Sequence, residues 1–172
     1  QLVRKPAVRE LIIERLQEMK KERIGRELQA IRFAQPRSPE ADWKPAPAPF
    51  WHAHFGEAAA EAERTGRRLF ILCYHSKVLP AYLAGNAFHE AVGKNCTLFF
   101  LDADDSGMPP SQKQQLAVVR KSLEIDSVWP SGAVVGPDLN FITAIAGLDD
   151  YKEESLLLRL KNLPGNVPPS QK

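Results

Sequence analysis

Apolar residues beyond residue 50 recur in short runs and helical periods that predict alternating helices and strands. Two continuous runs, "RLFILCYH" and "CTLFFLDAD", have the length and composition of strands buried on both faces. The segment "SGAVVGPDLNFITAIAGL" is typical of two strands joined by a Gly-Pro-Asp turn. Helical patterns fill residues 54–66, 80–95, 109–125 and 150–163. Gly66 is the expected stop of the first of these helices.

This order predicts an α/β domain at residues 50–163. Two strands joined through a helix pair in parallel by a right-handed crossover, and the closing hairpin adds two antiparallel strands. We therefore expect a four-stranded mixed sheet with helices on both faces, which is a three-layer α/β/α arrangement. Residues 164–172 are expected to form a flexible tail.

A separate helical segment precedes this domain. Residues 7–34 contain no proline and carry two apolar stripes about 130° apart on a helix of 3.6 residues per turn. Their members are Val8, Ile12, Leu16 and Met19 in one stripe, and Ile13, Ile24, Leu28 and Ile31 in the other. Either the helix bends near residues 20–25, or it buries two faces against different neighbours. We expect this basic amphipathic arm, residues 1–34, to pack on its own domain or on a second copy.

Residues 35–49 hold five prolines and no apolar period, which predicts a semi-stiff extended linker. Charge is divided across this linker. Residues 1–37 carry ten basic and five acidic side chains, whereas the remainder is mildly acidic. The net charge of +2 is too small to indicate binding of nucleic acid, and the acidic residues of the arm interleave with its basic ones.

No apolar run reaches the ~20 residues of a membrane span. Because the chain begins with Gln1, we expect a processed or trimmed product.

Residues 50–163 resemble a thioredoxin-like domain of the bacterial kind. The resemblance rests on Trp51 and Phe55, on the alanine-rich stretch Ala58–Ala62, and on the segments "TGRRLF", "FFLDAD" and "VWPSGAVVGPDLNFITAIAGL". It implies that the peptide bond before Pro130 is cis and lies beside the active-site turn. It also implies an exported protein, which favours the bacterial periplasm.

The resemblance places the family's two redox cysteines at Lys77 and Pro80. In such domains a Cys-x-x-Cys begins the helix after the first buried strand, eleven residues before a phenylalanine, which is Phe88 here. The tetrad "KVLP" contains no sulfur. Dithiol exchange needs one thiolate to attack and a second thiol to resolve the mixed disulfide. The buried acid of many thioredoxins also falls on Ile71. The sequence therefore predicts a domain without dithiol chemistry.

The remaining prediction is a binding or scaffolding module without a cofactor. In the family the residue before the cis-proline presents its backbone to an extended peptide. The corresponding surface consists of Ser76, Lys77, Val78, Pro80, Val128, Trp129 and Pro130. We expect a protein or peptide partner there, or self-association through the arm. Trp129 would then contact the partner, or alternatively would only cover the turn that lacks its cysteines.

Cys73 and His75 carry the enzymatic alternative, a monothiol oxidoreductase or peroxidase. Residues i and i+2 on a strand share a face, so His75 could assist the thiol. We favour an inert, buried Cys73, and we expect no disulfide with Cys96 because the two lie at different heights on adjacent strands. Two histidines near residue 53 and three acids at 102–105 do not form a metal-ligand pattern. The acids are expected to cap the following turn.

Overall fold

The computed structural model describes residues 6–33, 49–104, 107–125 and 130–163. The helices are α1 (Pro6–Phe33), α2 (Phe55–Thr65), α3 (Asn86–Val92), α4 (Pro110–Leu123) and α5 (Glu153–Lys161). The strands are β1 (Trp51–His52), β2 (Arg68–Tyr74), β3 (Cys96–Asp102), β4 (Ser131–Val135) and β5 (Phe141–Ala146). Short 3₁₀ turns cover Ser76–Val78, Ala81–Ala84 and Leu148–Tyr151. The predicted linker and tail lie outside the described residues, except for residue 49.

The strands form one mixed sheet in the order β1-β3-β2-β4-β5. β1, β3 and β2 run parallel, β4 is antiparallel to β2, and β5 is antiparallel to β4. The prediction of four strands was therefore wrong by one. The additional strand has only two residues, which pair with Leu98 and Phe99 of β3. Two residues cannot show a strand period, so only the neighbouring β3 identifies them as a strand.

Alternation along the strands divides the core between the two faces of the sheet. On β2, Leu69, Ile71 and Cys73 point into the cluster formed with α1, α2 and α4. Phe70, Leu72 and Tyr74 point into the cluster formed with α3 and α5. Helices therefore cover both faces, as the doubly buried apolar runs of β2 and β3 require.

Two glycines set the ends of helices. Gly66 ends α2 in the left-handed conformation, with φ 69°, and its backbone N–H donates to the carbonyl oxygens of Ala62 and Glu63 in the last turn. This confirms the predicted helix stop. The helical segment expected at residues 80–95 is shorter and divided, because Gly85 separates the Ala81–Ala84 3₁₀ turn from α3. Gly85 has an extended backbone, with ψ 149°, which no helix can continue through.

α1 is one continuous helix that lies against α2, α4 and β5 with its C-terminal half. Ile24, Leu28 and Ile31 are buried there, whereas Ile13 of the same stripe is exposed. The other stripe is not covered: Ile12, Leu16 and Met19 are exposed. Within the described residues, no helix combines the length and the apolar character needed to cross a membrane.

Candidate functional site

The segment between β2 and α3 forms a turn at the carboxyl end of the central strand. This segment, Ser76–Pro80, is hereafter called the β2 turn. β3 runs parallel to β2, with Tyr74 opposite Asp102, so the acidic end of β3 lies beside it. Ser131 of β4 is opposite Cys73 on the other side of β2. Pro130 therefore lies at the same edge of the sheet as the β2 turn.

Hydrogen bonds from backbone amides hold the β2 turn and the end of β3. The amides of Ser76 and Asp104 both donate to Oδ1 of Asp102, at 3.1 and 2.9 Å. Within the turn, Lys77 donates its amide to Nδ1 of His75, at 3.4 Å, and Val78 donates to the His75 carbonyl oxygen, at 3.1 Å. The strand-end carboxylate Asp102 thus serves as a cap, as the sequence predicts, and Asp105 lies outside the described residues. The β2 turn is thus held by Asp102 of β3 and by His75, the residue that precedes the turn.

The outer surface of the β2 turn combines a cation with an apolar side chain. The Lys77 ammonium lies 3.1 Å from Oδ2 of Asp104, yet the lysine side chain stays 73% exposed. Val78 beside it is 60% exposed. Pro80 is half-buried, and its carbonyl oxygen accepts the amide of Leu83 at 3.1 Å. The β2 turn therefore exposes one cation and one apolar side chain, and it contains no cysteine.

The β4 side of the expected surface is described only in part. Pro130 is buried, and its carbonyl oxygen accepts the amide of Gly147 at 3.0 Å. Val128 and Trp129 lie outside the described residues, and with them the peptide bond that precedes Pro130. The described part of the surface thus brings Ser76, Lys77, Val78 and Pro80 together in one turn, with Pro130 at the same edge.

Both cysteines are buried inside the sheet. Cys73 is 2% exposed and belongs to the cluster under α1, α2 and α4. Cys96 of β3 pairs with Arg68 of β2, and Cys73 lies five residues beyond Arg68 on β2, opposite Leu101. The two cysteines are therefore separated by about 16 Å along the strands. Neither cysteine forms a disulfide. Burial raises the pKa of the Cys96 thiol to about 11, although the Arg68 cation opposes the shift.

Three tyrosines beside the β2 turn form a packed cluster that the sequence reasoning missed. The Tyr82 hydroxyl donates to the Tyr151 carbonyl oxygen, and the Tyr151 hydroxyl donates to the Ile145 carbonyl oxygen at 2.8 Å. The Tyr74 and Tyr151 rings meet edge to face, with centroids 6.3 Å apart. Burial raises the pKa of Tyr82 to about 12 and also raises the pKa values of Tyr74 and Tyr151. Their positions along the chain show no spacing that could have indicated this cluster.

The histidines near the start of the domain have structural contacts. Nε2 of His52 lies 2.8 Å from Oε2 of Glu61, and this hydrogen bond lowers the pKa of the Glu61 carboxyl despite partial burial. The His89 ring stacks on Phe50, with centroids 4.5 Å apart. Across the part of the chain that the structure describes, no three His, Cys, Asp or Glu side chains converge as metal ligands would.

Comparison of the chain with protein-family models, with curated proteins and with solved structures finds no match.

Proposed function

We propose that residues 50–163 form a thioredoxin-like domain that has lost dithiol chemistry and binds a protein or peptide at the β2 turn and the edge of β4. The observation that carries this proposal is the exposed pair Lys77 and Val78 on a turn in which the amides of residues 76–78 are already bonded. A surface that is internally fixed and carries an exposed apolar side chain suits recognition, because little conformational entropy is lost on binding.

The arrangement of the sheet supports the thioredoxin-like part of the proposal. Parallel β2 and β3, the antiparallel β4–β5 hairpin and helices on both faces agree with the element order that suggested the family. The β2 turn also begins the helical segment after the first long buried strand, which is where the family carries its cysteines. Here Lys77 and Pro80 occupy those two positions.

The burial of Cys73 supports a binding function over the monothiol alternative. A nucleophilic thiol needs solvent access and a neighbouring positive charge that favours the thiolate. Cys73 is closed off by packing on the α1, α2 and α4 side of the sheet. An oxidoreductase or peroxidase reaction at Cys73 would require the strand to open.

Selection of displayed peptides on the full chain would test the proposal. We expect selected peptides to bind wild type and to lose about tenfold or more in affinity when Val78→Asp places a charge in the apolar contact. Leu158→Asp is the matched control, because Leu158 is an apolar side chain as exposed as Val78 but lies on α5, outside the β2 turn. Equal loss in both variants, or loss in neither, would contradict a site at the β2 turn.

A disulfide-reduction and peroxide-consumption assay separates the two functions. The proposal expects no catalysis above the rate of a free thiol, both in wild type and in Cys73→Ser. Turnover that disappears in Cys73→Ser would instead establish the monothiol enzyme.

A further inference from the structure

The N-terminal half of α1 is a helix without a partner in its own chain. Leu11, Ile12, Ile13, Leu16 and Met19 are 45–63% exposed, and burial against the domain begins only at Arg23. Lys20 pairs with Glu124 of the domain at 2.6 Å, so residues 6–19 project about 21 Å at 1.5 Å per residue. A helix of this length is marginal in water unless its apolar face is covered.

The exposed stripe of α1 continues into a groove between α1 and α4. Ile12, Leu16, Met19, Arg23, Glu27 and Ala30 follow one another at spacings of three or four residues, so they share one helix face. The last three line a cavity of about 940 Å³, together with Ile31 and Val118. The Nε2 donor of Gln115 in this groove is buried without a hydrogen-bond partner. One uncovered surface thus runs from the free half of α1 onto the domain.

The charges of α1 favour an antiparallel partner of its own sequence. Residues 6–19 contain three glutamates and two arginines, whereas residues 20–33 contain five basic and two acidic side chains. Lys20, Arg23 and Arg32 pair with carboxylates of their own chain. Antiparallel pairing of two α1 helices brings the other two basic side chains of this half, Lys21 and Arg26, toward the mildly acidic half of the second copy. Parallel pairing would bring the two basic halves together, and it would crowd both domains at one end.

We infer that α1 joins two copies of this chain into an antiparallel, two-fold symmetric dimer. The N-terminal half of each α1 covers the groove between α1 and α4 of the other copy, and the two-fold axis passes near Met19. Such an isologous contact buries the exposed stripe twice, once in each copy. This inference is independent of the binding surface at the β2 turn.

Sedimentation of the full chain over the micromolar range tests the contact. We expect a concentration-dependent dimer whose association weakens as salt is added, because part of the attraction is between exposed charges. Leu16→Glu combined with Met19→Glu should weaken association at least about tenfold. Leu158→Glu changes an equally exposed leucine on α5 and should leave the dimer intact. A wild-type monomer throughout this range, or the same effect from the α5 control, would overturn the inference.

Engineered cysteines test the direction of the pairing. In the double variant Ile12→Cys/Glu27→Cys, the two thiols are about 22 Å apart within one helix and cannot join there. In the antiparallel dimer each new Cys at position 12 faces the one at position 27 of the other copy. We expect 12–27 cross-links between chains, identified by mass spectrometry of the peptides. Cross-links only between two positions 12 would show a parallel dimer and refute the proposed arrangement.

Discussion

Gly132 lies where the β4 backbone and the Tyr151 side chain meet. A Cβ added to Gly132 would lie 2.7 Å from the Tyr151 hydroxyl and 3.2 Å from Cε1 of Phe70. It would also press against the carbonyl oxygen of Ile71 in the neighbouring strand, closer than real Cβ atoms approach. Because this obstacle is backbone in the centre of the sheet, it cannot turn aside. Gly132→Ala should therefore destabilise the fold strongly.

The magnitude follows from two contributions. Overpacking a tight core costs about 1–3 kcal/mol. Displacing the Tyr151 hydroxyl from the Ile145 carbonyl oxygen, now 2.8 Å away, costs about 1 kcal/mol more. The expected loss in the free energy of unfolding is thus about 2–4 kcal/mol. For a chain of this size it corresponds to a fall in Tm of about 5–15 °C.

Urea unfolding followed by tryptophan fluorescence would measure this loss. Gly107→Ala is the matched control, because a Cβ there meets nothing within 4 Å, and we expect its effect to stay within about 0.5 kcal/mol. Tyr151→Phe removes the hydroxyl, so the double variant with Gly132→Ala should lose about 1 kcal/mol less than the sum of the single variants. Equal stability of the Gly132 and Gly107 variants would refute the packing argument, and strict additivity would exclude the hydroxyl as a cause.

Three further predictions concern titration and reactivity. Burial raises the pKa of every tyrosine in the chain, that of Tyr82 to about 12, so absorbance of ionised tyrosine should stay low at pH 10. The buried phenols contribute their full stabilisation below pH 10, and this contribution to the free energy of unfolding decreases as the pH rises toward 12. Ionisation of the tyrosines near pH 10 in the folded protein would contradict the raised pKa values. The pKa of Glu61 lies below its ordinary 4.5 because of the hydrogen bond with His52. Stability should therefore fall as the pH drops through and below 4.5, and acid unfolding should show a smaller fall for Glu61→Gln. Both Cys73 and Cys96 should resist alkylation until denaturant is added, as mass measurement would show; rapid native labelling of Cys73 would favour the monothiol enzyme.

Much of the secondary structure was predictable because its signals are local. The apolar runs at residues 68–75 and 96–104 became β2 and β3, and Gly66 ended α2 as expected. The absence of sulfur from the β2 turn is also a property of the sequence alone. By contrast, β1 escaped prediction because two residues have no period and form a strand only through β3.

The sequence by itself determined the alternation of helices and strands, the two stripes of α1 and the chemistry missing at residues 77 and 80. Only the tertiary structure decided which stripe of α1 the domain covers and which it leaves exposed. It also joined Lys77 to Asp104 and placed Tyr151 against Gly132, contacts between residues 27 and 19 positions apart. The reason is physical: a period or a helix stop depends on neighbours within a few residues, whereas these contacts depend on how strands pair and helices pack.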